Sequence, residues 1–223
     1  MEGLIIRDAT INDIPFLVET IIEAEKSGTD KLSYSTVFGL SGEESRKYIA
    51  DMLSEEIDGC ELSISSFIIA EINGQIAAAV AAWIEGTMGI PSAILKGNLL
   101  NFILPKESIV SARMLNLLLK ELHIECISGT MQLGLVYVKS SFRGLNLVRL
   151  LIDAKIKKLL QINPHITEMY VQVFGNNLPA IRVYEKADFK IVTIKESLNE
   201  KILHYLPSNK KILMKKELYT NLK

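Results

Sequence analysis

Hydrophobic and polar residues follow two different periods along this 223-residue chain, which predicts a mixture of helices and strands. Leu4–Ile6 is an apolar run short enough for a strand, and Asn12-Asp13 then forms a typical helix cap. The helix predicted behind this cap has apolar residues at helical spacing, namely Ile14, Leu17, Val18, Ile21 and Ile22. A loop rich in Gly, Ser and Thr separates it from a second helix, predicted from near Gly42 to Leu53.

The rest of the chain is predicted to contain both strands and helices. Asn73-Gly74 is a strong hairpin signal and joins strands predicted at Phe67–Ile72 and Gln75–Trp83. Helical spacing resumes from Pro91 to Ser128. The remaining predicted elements are a strand at Met131–Val138, an amphipathic helix after a turn, a strand at Glu168–Phe174, a short helix ending at Lys186, and strands at Phe189–Lys195 and Lys211–Lys216. Because no repeat or linker divides the chain, we expect one domain over residues 1–223.

Composition narrows the class of protein. The chain is 48% hydrophobic and 23% charged with a formal net charge of −1, as in ordinary globular proteins. Its longest apolar run, Ile76–Ile84, is far too short to cross a membrane, and the N-terminal residues lack the pattern of a signal peptide. Cys60 and Cys126 lie far apart, which favours buried thiols over a disulfide or a metal site. We therefore expect a cytoplasmic protein that binds neither a metal nor a membrane.

Positive charge is concentrated around the turn that follows the strand at Met131–Val138. Six basic side chains stand there against one acid, Asp153; they are Lys139, Arg143, Arg149, Lys155, Lys157 and Lys158. A helix that starts directly after a strand points free backbone N–H groups and its positive dipole end into the turn, where phosphate binds well. The alternative is a solvated helix face, which applies above all to Lys155, Lys157 and Lys158.

Other nucleotide and nucleic-acid sites lack their usual signals. The turn has no G-x-x-x-x-G-K-[ST] loop, which excludes nucleoside triphosphate hydrolysis of that type. It also has no G-x-G-x-x-G followed by an acid about twenty residues later, which argues against a dinucleotide fold. Nucleic-acid binding is disfavoured because the basic residues are confined to one region and only 7% of residues are aromatic.

Two motifs together resemble those of the GNAT superfamily of acyl-CoA-dependent N-acyltransferases. The family signature R/Q-x-x-G-x-G/A, which opens a helix after the fourth strand, is similar to Arg143-Gly144-Leu145-Asn146-Leu147-Val148. The second motif, N-x-x-A-x-x-[apolar]-Y-x-K-x-G-F, is similar to this chain at Asn177, Ala180, Val183, Tyr184, Lys186 and Phe189. The opening stretch LIIRDATINDIPFLVETI also resembles the first strand and helix of the family, so the resemblance covers most of the chain.

The resemblance implies a fold and an activity. The fold would be α/β of the α+β kind, with a mixed, mostly antiparallel sheet that is splayed between strands 4 and 5 and flanked by helices. Residues 91–128 would be a helical insertion between strands 3 and 4, which either closes over the acceptor or buries the face of a homodimer. The activity would be transfer of an acetyl group from acetyl-CoA to a primary amine of a small molecule or peptide, by direct attack in a ternary complex.

The resemblance also implies roles for individual residues. Arg143 would lie near the pyrophosphate of acetyl-CoA, and Asn177 would contact the coenzyme arm. Backbone N–H groups of Tyr137 and Val138 would bind the acyl carbonyl, and Tyr184 would protonate the leaving thiolate. The N–H groups that hold the pyrophosphate would come from Gly144, Leu145, Asn146, Leu147 and Val148.

Several residues depart from the family motifs. Asn146 replaces a glycine, although asparagine tolerates positive φ, and Asp188 replaces another. Val148 replaces a glycine or alanine at the predicted pyrophosphate site. Gln132 stands where some family members have a general-base Glu, so an ordered water or Glu85 would have to take that role.

A rival hypothesis comes from another class of function. A non-catalytic module could bind acyl-CoA or act through protein contacts with the same fold. Val148 and Gln132 favour this reading, whereas the presence of Tyr184 and Asn177 favours chemistry.

Acidic residues are concentrated between residues 43 and 61. Seven acids stand there against Arg46 and Lys47; they are Glu43, Glu44, Asp51, Glu55, Glu56, Asp58 and Glu61. They predict either a negative rim that attracts a cationic acceptor or a solvated helix face.

Overall fold

The computed structural model describes residues 3–87 and 89–218 and arranges seven strands in one sheet. The strands are β1 (Leu4–Asp8), β2 (Phe67–Ile72), β3 (Gln75–Ile84), β4 (Met131–Val138), β5 (Glu168–Phe174), β6 (Lys190–Glu196) and β7 (Lys210–Glu217). Their order is β1-β2-β3-β4-β5-β7-β6, with β4 and β5 parallel and the other neighbours antiparallel. This confirms the predicted mixed sheet. The outermost residues of the predicted domain, 1–2 and 219–223, lie outside the described ranges.

Helices cover both faces of the sheet. They are α1 (Ile14–Lys26), α2 (Ser33–Thr36), α3 (Gly42–Ser54), α4 (Ser92–Ile103), α5 (Lys106–Met114), α6 (Asn116–Lys120), α7 (Leu147–Ile162) and α8 (Leu178–Lys186). On one face, α1 packs against β4, and α3 packs against α1. On the other face, α7 packs against β2 and β3.

The interior strand β3 is buried on both faces because helices lie on both sides of it. Ala78, Val80 and Ala82 belong to the core beneath α7, whereas Ala79 and Ala81 belong to the core beneath α1 and α3. A strand of this kind has a continuous apolar run rather than an alternating one. The longest apolar run of the sequence therefore forms an interior strand of the sheet.

Strand β4 contains one extra residue relative to β3. Gly134 and Leu135 both lie opposite Ala81, which is a β-bulge. Because side chains alternate along a strand, the extra residue changes the face: Leu133 packs in the α7 core and Leu135 in the α1 core. A Cβ atom at position 134 would lie 2.6 Å from the Trp83 ring, so the bulge has room only for glycine.

Strands β4 and β5 pair only near their beginnings. Their parallel ladder covers Met131–Leu133 and Met169–Val171. Beyond these residues the two strands separate, while β5 continues to pair with β7 as far as Phe174. This confirms the predicted splay between strands 4 and 5.

The predicted insertion at residues 91–128 is helical over most of its length but not all of it. Helices α4, α5 and α6 occupy residues 92–120 between β3 and β4, as predicted, whereas residues 121–128 form no helix. Helix α4 packs against α3. The insertion therefore lies on the same side of the sheet as α1.

Candidate active site

An open cleft of about 1360 Å³ follows the gap between β4 and β5 and reaches both faces of the sheet. On the α7 side it is lined by the turn at residues 142–149 and by α8, and we call this part the turn end. We call the part on the α1 side the inner chamber; its polar side chains include Glu23, Glu25, Glu61, Lys96, Gln172 and Lys211. The cleft thus joins two chemically different regions.

The turn end is built by two residues with left-handed backbone conformations. Gly144 has φ +83° and Asn146 has φ +57°. A Cβ atom on Gly144 would meet nothing within 4 Å, so the backbone angle rather than lack of space requires glycine there. Asn146 is the N-cap of α7, and its side chain makes no capping hydrogen bond. The first N–H groups of α7, which have no partner within the helix, therefore remain available to a ligand at this end.

The side chains near the start of α7 differ in how far they are buried and in the hydrogen bonds they form. Val148 lines the cleft and also packs half-buried against the α7 core. Arg143 is exposed, and its Nε donates to the Val138 carbonyl at 3.4 Å. Arg149 Nη1 donates to the carbonyl of Lys186 at 2.9 Å, which ties α7 to the end of α8. Arg143 is therefore less constrained than Arg149.

Two lysines of α7 serve the fold rather than the cleft. Lys155 is only 1% exposed, and its Nζ donates to the Ser65 carbonyl at 2.9 Å. Burial lowers the pKa of Lys155 to about 8. Lys158 pairs with Asp8. The interpretation of Lys155 as a solvated side chain is therefore wrong, because the side chain is buried and its ammonium is bonded to a backbone carbonyl.

Backbone N–H groups of β4 point into the gap where β5 has separated. The Lys139 N–H donates to the Ala77 carbonyl at 2.9 Å. Since successive amides of an antiparallel strand point to opposite edges, the Tyr137 N–H also points toward β3. The N–H groups of Val136 and Val138 then point into the gap. Val136, which the sequence did not indicate, thus takes the position expected of Tyr137.

Tyr137 lines the cleft with its side chain instead. Its hydroxyl donates to Glu19 Oε1 at 2.8 Å, and its ring lies 6.0 Å from that of Phe16. Burial, followed by the bond to Glu19, raises its pKa to about 12. The side chain therefore joins β4 to α1 as a neutral phenol.

Helix α8 brings Asn177 and Tyr184 to the wall of the cleft. Asn177 is the N-cap of α8, and its side chain accepts from the Ala180 N–H at 3.3 Å. Tyr184 is 5% exposed, and its ring packs 5.9 Å from that of Phe189. Among the described residues its hydroxyl has no hydrogen-bond partner. Burial raises the pKa of Tyr184, so the hydroxyl keeps its proton at neutral pH.

Glu85 lies one layer behind the inner chamber. It is 3% exposed and accepts three hydrogen bonds, from Trp83 Nε1 at 3.1 Å, from Ser92 N–H at 2.8 Å and from Ser92 Oγ at 2.6 Å. Trp83, Ser92 and Gln132 line the cleft, whereas Glu85 does not. Glu85 therefore reaches the cleft through Ser92 and Trp83, and it also fixes the Ser92 backbone at the start of α4.

The inner chamber contains both paired and unpaired charges. Lys96 pairs with Glu61, and their interaction keeps the lysine pKa raised despite burial. Glu25 accepts a hydrogen bond from the Ser33 hydroxyl at 2.5 Å. In residues 3–87 and 89–218, no acidic side chain lies within salt-bridge distance of Lys211. Burial lowers the pKa of Lys211.

Of the two interpretations of the acids at residues 43–61, the negative rim is wrong for six of the seven. Of its seven acids, only Glu61 lines the cleft. Helix α3 packs Ile49 and Leu53 into the core and directs most of its acids to solvent. The carboxylates that do line the chamber include Glu23 and Glu25 at the end of α1, which no local pattern in the sequence distinguished.

The described residues give no sign of a metal site or a membrane span. Over residues 3–87 and 89–218, no group of three or more His, Cys, Asp or Glu side chains is placed to hold a metal ion. No helix in these ranges is long and apolar enough to cross a membrane. Both cysteines are free thiols, and burial raises the pKa of Cys126 to about 12.

Comparison with protein families gives one match, to the Acetyltransferase (GNAT) family over residues 40–189. These residues include both sequence motifs, the splayed strands and the whole turn end. A search of curated protein sequences finds no significant match.

Comparison with solved structures supports the same fold. An N-acetyltransferase from Staphylococcus aureus Mu50 aligns with a TM-score of 0.64 at 13% identity, covering 95% of this chain and 99% of that one. A polyamine N-acetyltransferase from Drosophila melanogaster aligns with a TM-score of 0.58 at 11% identity, covering 96% and 100%. The structure of yncA from Salmonella typhimurium with its cofactor acetyl-CoA aligns with a TM-score of 0.55 at 12% identity, covering 100% and 98%. At these identities the likeness concerns the fold alone.

Proposed function

The chain belongs to the GNAT family of acetyltransferases, and we propose that it transfers an acetyl group from acetyl-CoA to a primary amine of a small molecule or peptide. The attack would be direct, within a ternary complex. The observation that carries the proposal is the continuous cleft, which leads from a helix N-terminus through a gap with unpaired strand amides to a chamber of charged side chains.

The turn end would bind the pyrophosphate of acetyl-CoA. Backbone N–H groups between Gly144 and Val148 would donate to the phosphate oxygens, supported by the dipole of the sixteen-residue helix α7. Arg143 would add a charge-assisted contact, since its guanidinium is exposed at the mouth of the cleft. The side-chain amide of Asn177 would contact the coenzyme arm.

The thioester would lie in the gap between β4 and β5. The N–H groups of Val136 and Val138 would stabilise the oxyanion that forms as the amine attacks the carbonyl. As the C–S bond breaks, Tyr184 would give its proton to the coenzyme thiolate and later regain one from solvent. Burial raises the pKa of Tyr184, so the phenol carries the proton at neutral pH that a donor to the leaving thiolate must have.

The attacking amine must lose a proton. We infer that this proton passes to the Glu85 carboxylate through the Ser92 hydroxyl, which donates to it at 2.6 Å, or through an ordered water. Gln132 cannot take a proton, and its amide already donates to Thr130 at 2.7 Å. Glu85 would therefore be a positioning and proton-accepting residue behind the chamber wall.

The insertion and the cellular location are further parts of the proposal. Helix α4 supplies Ser92, Lys96 and Leu100 to the cleft, which supports a role of the insertion in closing over the acceptor. The homodimer stays a prediction. Two free cysteines suit the cytoplasm, where thiols are kept reduced.

Two measurements test the function. Acetyl-CoA at a hundred times its Kd should raise the melting temperature by about 5–11 °C, since this excess gives about 2.7 kcal/mol and a chain of this size gains about 2–4 °C per kcal/mol. Arg143→Glu should reduce this rise, whereas Arg182→Glu, an exposed arginine of α8 that does not line the cleft, should not. Release of free thiol with a panel of primary amines then tests catalysis.

The outcomes separate the two classes of function. Acetyl-CoA binding with thiol release supports the enzyme. Binding without release for any amine favours a non-catalytic acyl-CoA module, and an unchanged melting curve contradicts the phosphate assignment.

A further inference from the structure

Lys211 extends from β7 into the inner chamber. It pairs in register with Phe174 of β5, so the two side chains share one face of the sheet, and its Nζ lies 5.5 Å from the Phe174 ring. The neighbouring Gln172 on this face donates from its side-chain amide to the carbonyl of Ile124, which also lines the cleft, at 3.0 Å. Lys211 therefore lies on the α1 side of the sheet, where an acceptor would bind.

Most nearby lysines have an acidic partner, and Lys211 is an exception among the described residues. Lys210 pairs with Glu196 at 3.2 Å, Lys215 pairs with Glu217 at 2.6 Å, and Lys96 pairs with Glu61. Lys211 is half-buried and forms neither a salt bridge nor a hydrogen bond within the described ranges. A half-buried ammonium without a partner is costly unless a ligand supplies the opposite charge.

The charge state of Lys211 is set by opposing effects. Burial lowers its pKa, while the carboxylates of Glu25 and Glu61 across the chamber act in the opposite direction. Glu61 is already paired, whereas Glu25 accepts only from the Ser33 hydroxyl among the described residues. The chamber therefore presents one unpaired ammonium and one carboxylate that lacks a cationic partner.

The pyrophosphate of the coenzyme does not fit this position. Its proposed site is the N-terminus of α7, which packs on the opposite face of the sheet. An anion at Lys211 would have to come from the acceptor or from the far end of the acyl group. In both cases the anionic group would be a carboxylate.

Resting on the proposed function, we propose that Lys211 binds a carboxylate of the acceptor, so that the acceptors of this enzyme are amino carboxylates rather than simple amines. The acceptor would be zwitterionic: its carboxylate would contact Lys211, and its ammonium would be attracted to Glu25 before it loses a proton. A charge-assisted hydrogen bond of this kind contributes about 1.5–3 kcal/mol, which corresponds to roughly tenfold to hundredfold in KM.

The experiment compares acceptors that differ only in the carboxylate. Histidine and histamine, arginine and agmatine, and lysine and cadaverine are tested as matched pairs with wild type, Lys211→Met, Lys211→Arg and Lys210→Met. We expect wild type to prefer the carboxylate member of at least one pair, and Lys211→Met to raise its KM tenfold to hundredfold with kcat nearly unchanged. Lys211→Arg should retain the preference, and Lys210→Met, which alters the exposed neighbour, should behave as wild type.

A second arm measures binding without turnover. Protein saturated with CoA is titrated with each amino acid, and the melting temperature should rise for wild type but not for Lys211→Met. This arm remains informative if no amine is acetylated, so failure of the proposed function and failure of this proposal give different results. A Lys211-dependent rise without thiol release supports the anion site and contradicts the transferase.

A third arm replaces acetyl-CoA by succinyl-CoA with the decarboxylated amines. If Lys211→Met affects succinyl transfer but not the amino-acid pairs, the carboxylate belongs to the acyl group and the acceptor proposal is wrong. The proposal is also overturned if Lys211→Met changes both members of each pair equally, or changes neither binding nor KM.

Discussion

Replacing Tyr184 by Phe removes one oxygen atom that the fold does not use. The hydroxyl has no partner among the described residues, while the ring packs against Phe189. We therefore expect Tyr184→Phe to change the free energy of unfolding by less than about 1 kcal/mol. Tyr184→Ala should cost about 3–5 kcal/mol, because it empties the space filled by a buried ring.

The effect on catalysis should be far larger than the effect on stability. Loss of a general acid lowers turnover by about 10²–10⁴, or about 3–5 kcal/mol of activation free energy. The assay follows initial rates of thiol release with one amine that the wild type acetylates, and thermal shift gives the affinity for acetyl-CoA. We expect kcat to fall and the acetyl-CoA affinity to stay within about twofold, since in the proposed mechanism the missing oxygen would contact only the reacting sulfur.

Tyr170→Phe provides the matched control. Tyr170 is also buried, but its hydroxyl donates to Glu168 at 2.8 Å and the residue does not line the cleft. The Tyr170→Phe variant should lose about 1 kcal/mol of stability and keep its kcat, whereas Tyr184→Phe should keep its stability and lose kcat. Equal kcat for Tyr184→Phe and wild type would refute the proton-donor role and leave Tyr184 as a packing residue.

Three further predictions concern other parts of the structure. Gly144→Ala should lose about 1 kcal/mol of stability through its φ of +83° and weaken acetyl-CoA binding, whereas Gly97→Ala in helix α4, also with open space around it, should stabilise by up to about 1 kcal/mol. Glu85→Gln cannot accept a proton and should lower kcat at least about tenfold with a small change in melting temperature; Glu85→Ala leaves buried donors unpaired and should lower that temperature by about 5–10 °C. The Arg7 guanidinium lowers the pKa of Asp13 from 3.8 to about 2, so this carboxylate stabilises the fold fully above about pH 4 and loses its effect as pH falls through about 2. In urea titrations, Asp13→Asn should be about 2 kcal/mol less stable than wild type at neutral pH, and a difference that persists at pH 2 would contradict this assignment.

Elements with strong local signals could be predicted from the sequence. The bounds of β4 and β5 agree with the prediction to the residue, because clear apolar runs and turns delimit both strands. Asn146 could be assigned a positive φ because asparagine is among the few residues that tolerate it. The separation of β4 from β5 could be predicted only from the resemblance to a known family, because no single segment of the sequence indicates it.

Features that depend on register could not be predicted. Whether Lys210 or Lys211 reaches the chamber is decided by pairing with Phe174, which lies some forty residues away along the chain. The surroundings of Glu85 depend on a contact with Ser92 across the turn that begins the insertion. The charges of α3 alone could not decide between a negative rim and a solvated helix face, because that choice depends on which face of the helix packs against the core.

The bulge at Gly134 and Leu135 changes which residues of β4 point to each face of the sheet. Before it, odd-numbered residues such as Leu133 face the interior beneath α7; after it, even-numbered residues such as Val136 do. Deleting one residue there would leave a single register, so one half of the strand would exchange the side chains that it presents to the two faces of the sheet and would change which of its amides point into the gap. A change of one in the length of β4 would therefore disrupt the hydrophobic interior and the reaction centre together.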